Sequence, residues 1–262
     1  MWQLKPLKHA EIYAPLGIVF YLADMRFLAR GNVYIWILES EDEKILIDSG
    51  VEEPKNGFVK RFPVVGGGER IFREILLKAG VKVEEVEKLI LTHLHIDHVA
   101  FASLFHNARI YVQRSEWRSA FDPLPHYREA YDERLFAPLE KMDLCLVDGD
   151  VCIAEGVKLI HLPGHTEGLQ GVLFEGKREK YLFAGDHFYS YFNIFPPVQP
   201  IELRNSKGET AVLSGENLPF IPPGLNINLG DWFKSSFKVL SIVRRRNIIP
   251  GHDLAIEGKI IS

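Results

Sequence analysis

The residues best suited to chemistry lie together at positions 92–98, which read Thr-His-Leu-His-Ile-Asp-His. They follow an apolar run that predicts a strand. Each buried imidazole ring needs a polar partner, so a cluster of this kind does not simply fill a core. Neutral imidazole nitrogen and carboxylate oxygen are ligands that Zn²⁺ takes in catalytic sites with an exchangeable water. The segment therefore predicts divalent metal binding by four side chains, His93, His95, Asp97 and His98.

The spacing of these four residues favours two metal ions over one. His93 and His95 alternate in an extended segment and can share one ion. Asp97 and His98 lie at the following turn and can face a second ion. A two-metal site then needs further histidines and a bridging carboxylate. Three later residues follow apolar runs, lie beside glycine and are predicted on loops at strand ends, where a rigid sheet can direct them to one point. They are His165, Asp186 and His252.

The surrounding pattern predicts an α/β layered architecture. Runs rich in β-branched and aromatic residues predict strands at 33–38, 44–47, 88–91, 109–112, 157–161, 171–174 and 181–184. A further short strand is expected at 248–249, before His252. Helical periodicity predicts helices at 69–79, 114–120, 127–139 and 232–243.

The composition is that of one globular domain spanning residues 1–262. The chain is 47% hydrophobic, and its 31 Lys and Arg against 35 Asp and Glu give a net charge of −4, so no nucleic-acid partner is expected. The apolar run at 14–23 falls short of the roughly 20 residues that span a membrane, and it predicts a core strand. The two cysteines, Cys145 and Cys152, have no metal-binding spacing. We expect them to be buried thiols in a cytoplasmic protein.

Two segments are predicted to be loops. Residues 51–68 end in three glycines, and the absence of a following Lys-Ser or Lys-Thr pair favours a flexible loop over a phosphate cradle. Residues 187–231 carry six prolines and many aromatic residues, which predicts a long insertion without helices. Its apolar residues Tyr191, Phe192, Phe195, Phe220 and Ile221 should be covered. The segment either forms the apolar wall of a substrate pocket or joins two copies in a homodimer.

The remaining histidines and one aspartate have more ordinary interpretations. His187 is expected to pack within its loop, and His161 to be a hydrogen-bonded group in the core or behind a ligand. His9, His106 and His126 are expected on the surface. Asp48 either holds a ligand histidine in one tautomer or only forms a turn.

The order H-x-H-x-D-H, Gly-His, Gly-Asp and Gly-His resembles the metallo-β-lactamase superfamily of metallohydrolases. The turn at residues 46–50, Leu-Ile-Asp-Ser-Gly, is similar to an earlier turn of that superfamily. The resemblance implies an αββα four-layer sandwich with the metals at one edge of the two sheets. It implies His93, His95 and His165 on the first metal. It implies Asp97, His98 and His252 on the second metal, with Asp186 bridging the two.

Within the superfamily the sequence is most similar to the N-acyl homoserine lactonases. Residues 107–117 resemble the segment after their metal motif, and Tyr189 matches the position of their substrate-contacting tyrosine. The resemblance implies that a hydroxide bridging two divalent ions opens a lactone. Zinc is expected, with iron, manganese or cobalt as alternatives. Tyr189 would stabilise the oxyanion and Asp97 would orient the hydroxide and transfer its proton.

Two features depart from the lactonases, and other functions stay open. Val99-Ala100 replaces smaller residues after the motif, and 65 residues separate Asp186 from His252. A glyoxalase-type thioesterase would share the metal ligands but needs basic residues near the C-terminus. A metal-dependent oxygen or nitric-oxide reductase module would need a flavin domain. The expected partner is a small-molecule ester or lactone.

Overall fold

The first of two large sheets contains strands from the N-terminal half of the chain. The computed structural model describes residues 1–53, 62–205, 207–215 and 218–262. The strands of this sheet are β1 (Gln3–Pro15), β2 (Leu28–Glu39), β3 (Lys44–Ile47), β4 (Val64–Gly66), β5 (Lys88–Ile90), β6 (Arg109–Gln113) and β7 (Leu144–Val147). Their order is β4-β1-β2-β3-β5-β6-β7. Strands β3, β5, β6 and β7 are parallel, and the β1 and β2 pairings are antiparallel.

The second sheet contains the strands that precede His165, Asp186 and His252. It meets the first sheet at the edge where the predicted ligands lie. Its strands are β8 (Val151–Ala154), β9 (Val157–His161), β10 (Gln170–Glu175), β11 (Lys180–Phe183) and β14 (Ile248–Ile249). Their order is β14-β11-β10-β9-β8. Because β10 is antiparallel to both β9 and β11, and β14 is parallel to β11, the carboxyl ends of β9, β11 and β14 meet at one edge. A separate hairpin pairs β12 (Ile201–Arg204) with β13 (Thr210–Leu213).

Helices cover the outer faces of the two sheets. The helices of the chain's described part are α1 (Leu16–Val19), α2 (Glu69–Lys78), α3 (Arg114–Phe121), α4 (Glu133–Phe136), α5 (Tyr191–Ile194) and α6 (Leu229–Ile242). Of these, α1 packs with the Thr210–Leu213 strand in a separate apolar cluster. Helix α2 buries Phe72 and Leu76, four residues apart on one face, against the first sheet. Helix α6 buries Trp232 and Val239 against the second sheet.

Besides the apolar contacts between the helices and the outer faces of the sheets, a further apolar layer lies between the two sheets. Trp36 of β2 and Phe183 of β11 belong to it, with ring centroids 4.5 Å apart. Both side chains are almost completely buried. Together with the helices on the outer faces, this layer gives the αββα sandwich that the sequence predicts.

The strands predicted from 33–38 onward and three of the four predicted helices are present, but the helix predicted at 127–139 is wrong. That region forms a 3₁₀ turn at Arg128–Ala130, the short helix α4, and a second 3₁₀ turn at Ala137–Lys141. The chain leaves the helical conformation at Tyr131, which is extended, and Asp132 then caps α4 by accepting from the N–H of Arg134. Pro138 accounts only for the end of α4, because proline lacks an N–H and its ring clashes with the carbonyl of the preceding turn.

The strand predicted at 14–23 is also wrong. Strand β1 ends at Pro15, which has φ −51° and serves as the N-cap of α1. The rest of β1 was not predicted, because its many polar residues hide the alternation of a strand. Within the described ranges, no helix combines the length and the apolar character needed to cross a membrane.

The segment 187–231 is more ordered than predicted. It contains α5, the β12–β13 hairpin and the start of α6. The prolines lie between these elements, and α5 begins with a capping box formed by Ser190 and Asn193. In the other predicted loop, residues 54–61 lie outside the described residues, and Val64–Gly66 forms β4.

Neither cysteine is fully buried, contrary to the prediction. Cys145 is half-buried and Cys152 is exposed. Cys152 lies on β8, an edge strand of the second sheet, between Val151 and Ile153, which pack against the layer between the sheets, so its side chain points to the opposite face.

Candidate metal centre

The seven predicted ligands lie on loops at the shared edge of the two sheets. His93, His95, Asp97 and His98 follow β5, and the other three follow β9, β11 and β14. The loop before His165 makes a close approach to α6. Gly164 has φ +141°, and a Cβ atom there would lie 2.5 Å from the Cα of Trp232. Only glycine fits this position without displacing backbone.

We call one set of three imidazoles the first group. It consists of His93, His95 and His165. One ring nitrogen from each lies within 4.8 Å of the others. The Nε2 of His165 is 3.2 Å from the Nδ1 of His95. All three side chains are buried. This compact set of nitrogens can hold one cation.

The second group consists of Asp97, His98 and His252. Its ligand atoms also lie within 4.8 Å of one another. The Nε2 of His98 is 3.6 Å from Oδ2 of Asp97. This group contains a carboxylate that the first group lacks, so the two groups offer different charges to a cation.

Asp186 lies between the two groups and directs one oxygen to each. Its Oδ2 is 3.8 Å from Nε2 of His93 and 3.6 Å from Nε2 of His165. Its Oδ1 is 3.3 Å from Nε2 of His98 and 2.9 Å from Nε2 of His252. The carboxylate therefore has the geometry of a bridge between two cations.

Hydrogen bonds on the far side of the imidazole rings orient most of these ligands. The Nδ1 of His165 donates to the carbonyl of Leu225, and the Nδ1 of His252 donates to the carbonyl of Asn32, both at 2.8 Å. The Nδ1 of His93 lies 3.1 Å from the hydroxyl of Thr92. The two carbonyl contacts leave Nε2 as the nitrogen with a free lone pair, and the Thr92 hydroxyl, which donates to Asp48, can accept from Nδ1 of His93 in the same way. The buried carbonyls thus select the tautomer that can bind a metal.

Asp48 fulfils both of the roles considered for it from the sequence. Its Oδ2 accepts a 2.8 Å hydrogen bond from Nδ1 of His98, and its Oδ1 accepts one from the backbone N–H of Thr92. Its backbone also forms a tight turn with φ +59°. Asp48 therefore holds a residue of the second group from behind.

The charges of the site differ between the two groups. Burial, together with neighbouring histidines, lowers the pKa of His93 and His95 well below the usual value, so these rings are neutral. Burial also lowers the pKa of His98, but the carboxylates of Asp186, Asp97 and Asp48 outweigh it and raise the pKa well above the usual value. The second group thus lies in a field of negative charge that favours a cation.

The residues present fit a pair of divalent cations. The Nε2 atoms of His93 and His98 are buried and make no hydrogen bond within the described residues. Buried polar atoms without partners are uncommon, and these two point toward the centre of the cluster. Imidazole nitrogen with carboxylate oxygen is the donor set of zinc and similar metals.

A cavity of about 290 Å³ lies against the cluster. Asp97, Asp186 and His252 line its polar side. Apolar side chains line the other walls, among them Ile18, Val19, Phe20 and Phe192. The candidate centre therefore opens into a pocket suited to a small molecule with an apolar part.

Tyr189 lies beside both groups and lines the cavity. Its ring centroid is 5.7 Å from that of His165 and 5.5 Å from that of His252. Burial, and then the nearby charge of Asp186, raise the pKa of this phenol well above its usual value. The hydroxyl is therefore protonated at neutral pH and can donate a hydrogen bond.

The other sequence predictions near the site have mixed outcomes. Phe192 and Phe195, expected to be covered, are 45% and 43% exposed, although Phe192 borders the cavity. Phe220 and Ile221 are buried, as predicted. His187, expected to pack within its loop, instead stacks its ring on Trp232 and hydrogen-bonds to Ser236, both on α6.

Two predictions for histidines outside the cluster need correction. His9, expected on the surface, is buried against the rings of Phe72 and Phe101. Its Nδ1 accepts from the N–H of Val51, and its Nε2 donates to the carbonyl of Gly68. Such a role depends on distant backbone groups, which the sequence does not reveal. His161 is hydrogen-bonded as expected but only half-buried. His106 and His126 are exposed, as predicted.

Sequence reasoning missed Glu116, a fully buried carboxylate on α3. It accepts hydrogen bonds from the backbone of Leu94 and Gly168 and from Tyr131. A signal was present, because Glu116 lies four residues before Ala120 and thus on the buried face of its helix. A charged residue at such a position indicates polar partners.

Relatives of known sequence include N-acyl homoserine lactonases. The chain is 32% identical over 156 residues to an N-acyl homoserine lactonase of Bacillus cereus, a match that covers 56% of this chain and 59% of that protein. An N-acyl homoserine lactonase of Bacillus thuringiensis is 31% identical over 153 residues, covering 55% of this chain and 58% of its own length. The chain thus spans less than two thirds of the curated relatives it matches.

Solved structures have the same fold. A mutant of the B. thuringiensis lactonase AiiA with N-decanoyl-L-homoserine at its active site matches with a TM-score of 0.75 and 22% identity, over 97% of this chain and 94% of that one. AidC, described as a dizinc quorum-quenching lactonase, matches with a TM-score of 0.65 and 17% identity, over 97% and 88%. The family model for the metallo-beta-lactamase superfamily matches residues 28–236, so this chain belongs to the metallo-β-lactamase superfamily.

Proposed function

We propose that this chain is a dinuclear metal-dependent hydrolase that opens a lactone ring carrying an apolar acyl substituent. One observation carries the proposal. Asp186 divides its two carboxylate oxygens between two groups of ligands, and those groups lie at the polar side of an otherwise apolar cavity. The similarity to N-acyl homoserine lactonases supports the substrate class.

The first group would hold one cation, the second group would hold another, and Asp186 would contact both. Zinc is the expected metal, and iron, manganese and cobalt accept the same ligands. When bound, a pair of divalent cations lowers the pKa of a water molecule toward neutrality and polarises a carbonyl oxygen. The protein contributes the geometry and the groups that act on the substrate.

Tyr189 would act on the carbonyl oxygen of the lactone. Its hydroxyl remains protonated, because burial and the charge of Asp186 raise its pKa. As water attacks the carbonyl carbon, negative charge grows on that oxygen, and a hydrogen bond from Tyr189 stabilises it. The interaction strengthens in the transition state and so raises kcat.

Asp97 would transfer the proton that ring opening requires. Its carboxylate lines the cavity and is 7% exposed, so it can meet both the attacking water and the ring oxygen. The new bond joins the water oxygen to the carbonyl carbon, and the bond from that carbon to the ring oxygen breaks. Asp97 accepts a proton from the water and delivers it to the departing oxygen, and the product is a hydroxy acid.

The apolar walls of the cavity favour an acyl chain as the second part of the substrate. Phe20 and Phe192 meet edge to face with centroids 6.3 Å apart, and both border the cavity. An alkyl chain buried against such rings gains about 0.8 kcal/mol for each methylene removed from water.

A substrate panel tests the proposal. Metal-loaded protein is assayed for acid release from N-acyl homoserine lactones of several chain lengths, from a glutathione thioester and from a phosphodiester. We expect ring opening of the lactones and little action on the other two. Fast turnover of the thioester without lactone cleavage would reject the lactone and favour a thioesterase.

A further inference from the structure

Glu116 connects three separate segments of the chain behind the metal centre. Its Oε1 accepts from the N–H of Leu94 at 3.0 Å and from the hydroxyl of Tyr131 at 3.1 Å. Its Oε2 accepts from the N–H of Gly168 at 3.1 Å. The side chain is completely buried. A single carboxylate therefore satisfies donors from three loops.

Each of these segments supports a member of the first group. Leu94 lies between His93 and His95, and Gly168 lies in the loop that carries His165. The ring of Tyr131 contacts the ring of His95 edge to face, with centroids 4.7 Å apart. The imidazoles of the first group come from two distant parts of the chain, and Glu116 joins the backbone of both.

The contact between α3 and the His165 loop is unusually close. A Cβ atom at Gly168 would lie 2.2 Å from the backbone nitrogen of Glu116. The glycine thus lets the loop lie directly on the helix. Movement of the carboxylate would be transmitted to that loop, because no flexible side chain separates them.

The second group has other supports. His98 is held by Asp48, and His252 is held by the carbonyl of Asn32. In the part of the chain that the structure describes, Glu116 makes no hydrogen bond to Asp48 or to Asn32. The direct carboxylate contacts of the two groups therefore differ, although Asp48 also reaches His93 through the hydroxyl of Thr92.

A carboxylate is chemically required at position 116. Its three partners are all donors, and an ionised carboxylate is purely an acceptor. The isosteric amide of glutamine would turn an N–H group toward at least one of these donors. Among the described residues, no Lys or Arg forms an ion pair with Glu116, so hydrogen bonds from these donors stabilise its buried charge.

We propose that Glu116 is a positioning residue for the first group, one that sets the arrangement of His93, His95 and His165 and thereby the affinity of that group for its cation. In this proposal Glu116 does not affect the affinity of the second group for its cation. The inference rests on the proposed function only in requiring that the two groups bind divalent cations, and it does not depend on the substrate.

The test compares Glu116→Gln with Asp48→Asn and with the double variant. Zinc-loaded proteins are dialysed against graded chelator, and zinc per chain is measured. Outer partners of metal ligands typically contribute 10-fold to 100-fold in affinity. We expect each single variant to lose one ion at a chelator concentration that wild type withstands, and the double variant to lose both. A double variant that retains as much zinc as either single variant would overturn the proposal, because both carboxylates would then act on the same cation.

Further variants separate positioning from general stability. Glu116→Asp keeps two acceptor oxygens on a shorter side chain, so its zinc affinity should lie between those of Glu116→Gln and wild type. If Glu116→Gln does not fold, Tyr131→Phe replaces it, since this change removes one donor beside His95. It should weaken one ion by a smaller factor and leave circular dichroism unchanged. Equal loss of both ions, or unchanged affinity in a folded variant, would contradict the role of Glu116. Zinc binding without lactone cleavage would count against the proposed function alone.

Discussion

The Nδ1 of His98 donates a 2.8 Å hydrogen bond to Oδ2 of Asp48, and these residues are separated by fifty positions in the chain. The pairing of β3 with β5 explains the contact. Ile47 and Ile90 are register partners in the parallel pair, so the residues just beyond them emerge side by side. A carboxylate at the end of one strand thereby orients a ligand that follows the next.

Replacing Asp48 by Asn should weaken metal binding at the second group. The substitution removes the negative charge that faces His98, and the ring is held less firmly with Nε2 toward the centre. We expect one of the metal ions to bind about 10-fold to 100-fold more weakly, measured by competition with a chromogenic chelator. Asp148→Asn is the control, because that carboxylate pairs with Arg114 on the surface. Equal affinities for the Asp48 and Asp148 variants would contradict this role.

Tyr189→Phe should lower kcat and leave metal content unchanged. Loss of one oxyanion donor costs about 2.7 to 4 kcal/mol in enzymes where it has been measured, which is an upper guide here because the metal shares the charge. Steady-state kinetics on a lactone, with elemental analysis of the same sample, gives the result. Tyr191→Phe provides a matched control, since this nearby tyrosine does not border the cavity. A Tyr189→Phe enzyme with wild-type kcat would remove the hydroxyl from the mechanism.

Phe192→Ala should raise KM most for substrates with long acyl chains. The ring borders the cavity and meets Phe20, so its removal shortens the apolar wall. A change of one or two methylenes of contact corresponds to about 1 to 3 kcal/mol. Phe195→Ala should leave KM unchanged, because Phe195 is similarly exposed but does not border the cavity. Sedimentation of both variants checks the alternative, in which these rings join two copies of the chain. A changed sedimentation profile with unaltered chain-length preference would favour that alternative.

Gly164→Ala should destabilise the protein far more than Gly80→Ala. Both glycines have positive φ, which costs an alanine about 1 to 2 kcal/mol. At Gly164 the added Cβ would also meet the backbone of Trp232 at 2.5 Å, whereas nothing lies within 4 Å of a Cβ at Gly80. Urea unfolding of the metal-free proteins measures the difference. Similar free energies of unfolding for the two variants would show that the His165 loop can move away from α6.

The sequence predicts the frame of the molecule because its strands and helices carry strong local patterns. The strands before His93, Asp186 and His252 are apolar enough to be recognised, and the structure brings the residues that follow them to one edge. Two elements near the site are predicted wrongly. Pro15 ends β1, and the helix expected at 127–139 is interrupted at Tyr131, which is extended.

What sequence could not supply is the set of contacts between distant loops. From the sequence, Asp48 could either hold a ligand histidine or only form a turn. The pairing of β3 with β5 places it against His98. The role of Glu116 was missed because two of its partners are backbone N–H groups, which residue types do not identify. His9 was misjudged for the same reason. Supports of this kind depend on the three-dimensional arrangement of loops, whereas metal ligands are recognised by residue type.

Metal content of the wild-type protein and of Asp186→Ala, measured by elemental analysis after loading with zinc and removal of free metal, tests the central claim most directly. Among the residues that the structure describes, Asp186 alone directs one oxygen to each group of ligands. The account predicts about two zinc ions per chain in the wild type, as expected for a two-metal hydrolase, and loss or weakening of both in the variant. A stoichiometry of one ion per chain, unchanged in Asp186→Ala, would contradict it.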